Sequence, residues 1–235
     1  RDLVAENTMW PIEDETEYTH EQYTTVSERL LGVVFGVAAQ IVEEDICSME
    51  DVDRGAKVGL RWARGPFEMM NRIGVAEAYR MAKSYQAIAG EAWTLPAFFK
   101  DQSDASENWN FSYVDSSTED GITTITINRP EAMNALNEVV VAQLTEAVQA
   151  ANADSNVTTI VLDGAGKAFV AGADVKFFVD KIRSDDIPDI ETFTENGHVL
   201  LAALEDSSKT TIALTTGLAL GGGLELALAC DYRIG

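Results

Sequence analysis

The sequence predicts an all-α region followed by an α/β region. Hydrophobic residues recur at helical spacing through roughly the first hundred residues, and no strand pattern precedes residue 111. From residue 111 onwards, runs of β-branched residues alternate with helical segments, which is typical of an α/β arrangement. Between the two regions, residues 100–110 are polar and lack periodicity, which predicts a linker. We therefore expect two domains, residues 1–105 and 106–235.

The helices of the first region are predicted from the spacing of apolar residues and from residues that typically begin or end a helix. Apolar residues from Val26 to Val42 follow helical spacing and predict a long amphipathic helix. A shorter helix is expected over 51–60. Pro66 suits the first position of a further helix, and Gly90 ends one that spans 75–89.

The second region alternates strands with helices. The turn signal Glu119-Asp120-Gly121 separates the first two strands. Strands are expected over 111–114, 122–127, 158–162 and 210–214, and helices over 137–151, 189–204 and 221–230.

The charge balance excludes several classes of partner. The chain has 39 acidic residues against 17 basic ones, a net charge of -22, while its hydrophobic content of 46% suffices for a folded core. Nucleic acids and anionic membrane surfaces are recognised by Lys and Arg patches, so neither partner is expected. Surface carboxylates in this excess repel each other unless salt screens them. We expect a protein adapted to a salty, halophilic cytoplasm.

The cysteines and the apolar runs indicate no disulfide, metal site or membrane-spanning segment. Cys47 and Cys230 stand in apolar surroundings, and we expect two buried free thiols rather than a disulfide or a metal site. The longest apolar runs, 30–42 and 218–230, fall short of a bilayer span.

A glycine triplet, Gly221-Gly222-Gly223, is the first candidate for chemistry. It follows a strand and opens a helix, where unpaired N–H groups can bind an anion or a developing oxyanion. Glu225 stands three residues after Gly222, so its carboxylate can face the same space. Two structural alternatives stay open: the triplet as a tight turn, and Glu225 as an acid that complements the helix dipole.

A second turn of small residues, Ala171-Gly172-Ala173, strengthens the catalytic interpretation. Small side chains allow close backbone approach, and Asp174-Val175-Lys176 leads into a helix. Two such turns can supply two backbone N–H donors to one oxygen, as an oxyanion hole requires. Spacing alone also allows two unrelated loops.

Three segments carry motifs that occur in a fixed order: Asn128–Asn137, Ala168–Lys176 and Ala219–Ala227. Together they resemble the crotonase superfamily, in its enoyl-CoA hydratase branch. The resemblance implies the N-terminal part of a crotonase ββα-spiral domain. It also implies oxyanion donors at the N–H groups of Ala173 and Gly222, and an acid/base at Glu225. The contacts implied with coenzyme A or substrate are Ala135, Ala171, Ala173, Asp174, Val175 and Lys176.

The resemblance also implies what the sequence lacks. The second catalytic glutamate of the family follows the first at a position beyond Gly235, the last residue here. We expect a chain truncated at both ends, with little or no hydratase activity by itself.

Two further motif segments, Glu50–Gly59 and Arg64–Gly74, lie in the first region. They resemble the helical C-terminal domain of 3-hydroxyacyl-CoA dehydrogenases. In that family NAD is bound by a Rossmann domain, for which this sequence has no motif, so no cofactor is expected on this chain. His20 and His198 match no family motif, and we expect ordinary surface or boundary histidines.

The combined resemblance implies part of a bifunctional β-oxidation enzyme. It would hydrate trans-2-enoyl-CoA and oxidise the 3-hydroxyacyl-CoA product with NAD. The expected partners are an acyl-CoA substrate and further copies of the chain, and the charge suggests a haloarchaeal source. Two alternatives remain: an enoyl-CoA isomerase of the same superfamily, or a non-catalytic oligomerisation module that carries a crotonase remnant.

Overall fold

The computed structural model describes residues 18–90 and 93–235. They form two compact units, a helical one that reaches Trp109 and a mixed one that begins at Asn110, with Lys57–Gly59 grouped with the second. The predicted domain ranges, 1–105 and 106–235, stay a prediction. Residues 1–17 and 91–92, part of the first predicted domain, lie outside the described residues.

The helices of the first unit agree with the sequence pattern. The longest begins at a capping box, in which the Thr19 hydroxyl accepts from the Gln22 N–H and the Gln22 side chain accepts from the Thr19 N–H. The fourth helix ends at Gly90 as predicted, and Gly74 precedes it, both glycines having positive φ. The helices are α1 (His20–Glu43), α2 (Met49–Gly59), α3 (Pro66–Ile73), α4 (Val75–Ala89) and α5 (Ala97–Ala105).

A buried carboxylate joins α2 to α3. Asp53 accepts from the Phe67 N–H at 2.8 Å and from the Glu68 N–H at 2.9 Å, and it is only 1% exposed. These are N–H groups that the first turn of a helix leaves without intrahelical partners. The motifs around Asp53 and Pro66 are therefore one capping arrangement, which accounts for their residue types structurally.

Helix α1 is the one described helix whose length and composition would allow it to cross a membrane. Its inner side, which includes Phe35 and Ala39, is buried, and it packs against α4. The core helix of a folded domain meets the same two criteria.

The predicted linker over 100–110 is partly wrong, because α5 occupies its first half. Its apolar contacts come from one turn only: Phe99 is fully buried and packs against Tyr79 and Trp109. An ion pair between Lys100 and Asp104 lies along its exposed side. A single apolar turn gives no periodic signal in the sequence, so this helix is stabilised mainly by its tertiary contacts.

The second unit is built on a five-stranded sheet of order β1-β2-β3-β5-β7 and a small parallel sheet of β4 and β6. The first two strands form an antiparallel hairpin, and the other pairs are parallel. The strands are β1 (Val114–Glu119), β2 (Ile122–Ile127), β3 (Thr159–Gly164), β4 (Ala168–Val170), β5 (Thr210–Leu214), β6 (Leu218–Ala219) and β7 (Tyr232–Ile234).

Four helices accompany the sheets, and the core lies between sheet and helices. Side chains of β2 and β3, such as Ile125 and Leu162, are fully buried against Leu144 of α6 and its neighbours. The helices are α6 (Glu138–Ala153), α7 (Val175–Arg183), α8 (Ile187–Glu205) and α9 (Gly222–Leu228).

Several strand predictions need correction. The strand expected over 111–114 begins only at Val114 and continues to Glu119, through residues whose side chains are almost all exposed. Its pairing with β2, from Val114 opposite Ile127 to Glu119 opposite Ile122, fixes it as a strand in the absence of alternation. Strands β4, β6 and β7 were not predicted, because two or three residues are too few to show a period.

Candidate active site

Two adjacent turns follow the paired strands β4 and β6. The strands are parallel, with Val170 opposite Ala219, and the Leu220 N–H donates to the Val170 carbonyl at 3.1 Å. Gly172 and Gly221 adopt positive φ angles of 96° and 47°, which side chains rarely allow. A Cβ on Gly221 would lie 3.9 Å from the Gly172 Cα. The two turns predicted from their small residues are therefore neighbours in space.

The direction of the Ala173 N–H is set by an isolated parallel bridge to Leu136. The Leu136 N–H donates to the Gly172 carbonyl at 2.8 Å, and its carbonyl accepts from the Asp174 N–H at 2.7 Å. In a parallel ladder these bonds use the residues on either side of Ala173, so the N–H of Ala173 points away from Leu136. Among the described residues it meets no acceptor.

The Gly222 N–H is likewise unpaired within the described chain. The next three N–H groups along α9 already have partners at 2.9–3.0 Å, namely the carbonyls of Leu220 and Gly221. Gly223 lets this turn lie directly against β4, since a Cβ there would lie 2.6 Å from the Val170 Cβ. Close packing at Gly223 thereby fixes the position of the Gly222 N–H.

A cavity of about 210 Å³ brings the predicted catalytic residues together. Ala173, Gly222 and Glu225 line it on one side, and the Glu225 Oε2 lies 4.0 Å from where a Cβ on Gly222 would be. The rest of the wall is mainly apolar. It includes Leu136, Val141, Phe193, Leu200, Leu201 and Leu226. This arrangement offers two N–H donors and one carboxylate beside apolar walls.

His198 was missed by the sequence analysis as a residue of this cavity. It lies on α8 four residues after Thr194 and three before Leu201, and all three line the cavity. Among the described residues of this wall, Glu225 is the only carboxylate and His198 the only imidazole. The signal was available, because these spacings place the residues on one face of the predicted helix.

The other predicted contacts form the rim and the turn itself. Ala135 accepts through its carbonyl from Arg129 Nη1 at 3.0 Å, and the Ala171 N–H donates to the Met133 carbonyl at 3.1 Å. Val175 is 72% exposed. Lys176 lines a separate polar cleft of about 310 Å³, which begins at Asp174, the residue after Ala173.

Asp174 is engaged with protein groups. Its Oδ2 lies 2.8 Å from Arg129 Nη1, and its Oδ1 accepts from the Lys176 N–H at 3.0 Å, which caps α7. A carboxylate held in this way is poorly suited to contact the phosphates of coenzyme A directly. Its predicted role in binding the substrate stays a prediction.

The cysteines differ in burial. Cys230 is buried behind α9, and burial raises the pKa of its thiol to about 12, with Asp231 adding to the shift and Arg233 opposing it. It is therefore a protonated core residue at neutral pH and no nucleophile. Cys47 is only half-buried, so the prediction of two buried thiols is wrong for that residue, while both are free.

Comparison with known proteins relates both units to named families. The family profile described as "Enoyl-CoA hydratase/isomerase" matches residues 117–235, and "3-hydroxyacyl-CoA dehydrogenase, C-terminal domain" matches residues 26–108.

Individual relatives agree with these profiles. "Crotonyl-CoA hydratase" of Syntrophomonas wolfei is 39% identical over 117 residues, 49% of this chain and 44% of that protein. "Fatty acid oxidation complex subunit alpha" of Pseudomonas putida is 36% identical over 106 residues, 44% of this chain and 14% of that protein. The solved structure "Pseudomonas aeruginosa AtuE" has a TM-score of 0.50 at 30% identity, covering 52% of this chain and 47% of that one.

Each match covers only part of this chain and only part of the related protein. The chain spans less than half the length of the curated relatives named here. The helical unit is followed by part of a crotonase-type α/β fold, and the fold class predicted from the sequence is confirmed. With its family match covering half of the sequence, the chain belongs to the enoyl-CoA hydratase/isomerase family.

Proposed function

We propose that the full-length protein hydrates trans-2-enoyl-CoA to 3-hydroxyacyl-CoA in the cavity that contains Glu225. One observation carries the proposal: the unpaired N–H groups of Ala173 and Gly222 and the Glu225 carboxylate line the same cavity. The apolar wall of this cavity suits an acyl chain.

The chemistry follows from where charge develops. Water adds through its oxygen to C3 of the enoyl group, one proton of the water passes to a carboxylate, and C2 receives a proton. In between, negative charge gathers on the thioester oxygen, which the N–H groups of Ala173 and Gly222 stabilise as two fixed donors. Glu225 handles one of the two proton transfers. The family resemblance implies a second glutamate for the other transfer.

The helical unit suggests a second activity for the full-length protein. We propose oxidation of the 3-hydroxyacyl-CoA product by NAD, with NAD held by a dehydrogenase domain outside this sequence. The match of residues 26–108 to the C-terminal domain of 3-hydroxyacyl-CoA dehydrogenases supports this. The product of the first reaction is the substrate of the second, so fusing the two activities is chemically consistent.

Replacing Glu225 by Gln tests the hydratase proposal. Turnover of crotonyl-CoA by the full-length protein should fall by about tenfold or more, since general acid–base catalysis contributes about 100- to 10,000-fold, while binding of coenzyme A persists. Glu146→Gln, at an exposed position of α6 outside the cavity, is the matched control and should keep its turnover. Unchanged turnover in Glu225→Gln would remove Glu225 from catalysis.

An isomerase is the second candidate, because the matching family profile is described as "Enoyl-CoA hydratase/isomerase" and Glu225 lines the cavity as a possible base. One base suffices to move a proton between C4 and C2 of a 3-enoyl-CoA. Steady-state rates with 2-enoyl-CoA and 3-enoyl-CoA substrates distinguish the two, and faster conversion of the 3-enoyl substrate would favour the isomerase. Loss of both activities in the correctly folded full-length protein would favour a non-catalytic module.

A further inference from the structure

We propose that Arg129 and Asp174 are positioning residues, whose ion pair holds the Ala173 N–H in the direction that a thioester oxygen requires. This inference rests on the proposed function, because it assumes that Ala173 is an oxyanion donor. Neither side chain lines the cavity, so both act through the backbone.

The contacts of Arg129 fasten both sides of the bridge that orients Ala173. Its Nη1 lies 2.8 Å from Asp174 Oδ2 and donates to the Ala135 carbonyl at 3.0 Å. Ala135 precedes Leu136, and Asp174 follows Ala173, so one guanidinium nitrogen connects the neighbours of the two bridge residues. Rotation of the Ala173 peptide would have to break this connection.

The backbone of Arg129 is itself fixed. Its N–H donates to Asn134 Oδ1 at 2.9 Å, and its carbonyl accepts from the Asn134 N–H at 3.0 Å. Asn134 is fully buried and donates from Nδ2 to the carbonyls of Ala165 and Ala168 at 2.9 and 2.8 Å. The guanidinium therefore projects from a rigid loop that is tied to the strand leading to the oxyanion turn.

The surroundings make the pair electrostatically effective. The side chains of Arg129 and Asp174 are only 14% and 16% exposed, and the guanidinium lies 5.5 Å from the centre of the buried Tyr113 ring. Charges with little access to water interact more strongly than surface charges do. A buried ion pair often adds little net stability, because its attraction is offset by lost hydration, so a role in fixing geometry accounts for this pair better than a role in stability.

The design of the variants follows from these contacts. Asp174→Asn removes the charge and retains an oxygen that can cap α7, while Arg129→Met removes both connections at similar length. Lys209→Met is the matched control: it deletes a partly buried cation that donates to the Asp154 carbonyl at 2.9 Å in the same unit, away from the cavity.

Turnover and enolate binding should distinguish a positioning role of the ion pair from a general contribution to protein stability. In the full-length protein, Arg129→Met and Asp174→Asn should lower kcat for crotonyl-CoA about 10- to 100-fold with KM changed less than about threefold. This is less than the about 100- to 1000-fold cost of losing one oxyanion donor outright, because the Ala173 N–H is misdirected and not removed. The double variant should lose little more than Arg129→Met alone, because Arg129→Met already removes the ion pair that Asp174→Asn weakens. Lys209→Met should keep its kcat.

Acetoacetyl-CoA supplies the spectroscopic readout, because its enolate carries charge on the thioester oxygen and absorbs in the ultraviolet. The fraction bound as enolate should fall in Arg129→Met and Asp174→Asn and persist in Lys209→Met. Arg129→Lys, which can reach one of the two partners, should recover part of the enolate signal.

The inference is overturned if folded Asp174→Asn keeps wild-type kcat and wild-type enolate binding, and this isosteric variant decides the question should Arg129→Met fail to fold. If Glu225→Gln lowers turnover while Asp174→Asn does not, only the positioning role is wrong. If Glu225→Gln leaves turnover unchanged, the proposed function itself is wrong.

Discussion

Replacing Gly223 by Ala should displace the Gly222 N–H without removing it. The variant therefore tests whether the position of this donor matters for catalysis. The added Cβ would lie 2.6 Å from the Val170 Cβ and would overlap the Val170 carbonyl, which is backbone and cannot turn aside. Ordinary carbon contacts are about 3.5–4.0 Å, so the first turn of α9 must move by about 1 Å. Overpacking of this kind costs about 1–3 kcal/mol of unfolding free energy.

Gly223→Ala should also slow catalysis. A misplacement of about 1 Å in a catalytic group can cost about 100-fold in rate, so we expect kcat for crotonyl-CoA to fall by about that factor. Gly55→Ala, a helical glycine of α2 with no atom within 4 Å of the added Cβ, is the control. It should raise stability by about 0.5–1 kcal/mol, since alanine favours helix, and leave kcat unchanged.

Thermal unfolding and steady-state kinetics on the three proteins provide the assay. If Gly223→Ala kept both the wild-type melting temperature and the wild-type kcat, the close approach of α9 to β4 would not set the donor geometry, and the reasoning would fail.

Three further predictions concern stability and reactivity. Asp53→Ala should lower the unfolding free energy by about 1–3 kcal/mol in urea titrations, because the Phe67 and Glu68 N–H groups lose their buried acceptor; an unchanged midpoint would contradict the capping role. Iodoacetamide at pH 8, followed by mass spectrometry, should label half-buried Cys47 well before Cys230, whose pKa is raised to about 12 by burial, and equal rates would contradict that burial. With a net charge of -22, the melting temperature should rise steeply between low and molar KCl, and a salt-independent value would end the halophilic hypothesis.

The sequence predicted most accurately the helices and strands whose ends are marked by nearby residues or whose residues show a clear local pattern. The helix between Gly74 and Gly90 and the strand Thr210–Leu214 occur at the predicted residues, because glycines at positive φ bound the helix and a short β-branched run marks the strand. Helix α5 and strand β1 depend instead on contacts outside their own residues, namely Trp109 for Phe99 and β2 for Val114–Glu119.

The sequence predicted which residues belong to the candidate site, but not the contacts that orient them. Ala173, Gly222 and Glu225 were proposed from two turns and a family resemblance, and the cavity brings them together. The direction of the Ala173 N–H follows from its bridge to Leu136, and the role proposed for Arg129 follows from its contact with Asp174. Both contacts link residues far apart in the sequence, for which local patterns give no signal.

Polarisation of a bound thioester tests the central claim most directly. Crotonyl-CoA labelled with ¹³C at the thioester carbon can be bound to Glu225→Gln, in which turnover is slow, and observed by NMR. If the Ala173 and Gly222 N–H groups both donate to the thioester oxygen, the carbonyl resonance moves downfield from its position in free crotonyl-CoA, and the added Gly223→Ala substitution reverses that movement. A bound carbonyl with the chemical shift of the free thioester would contradict the account.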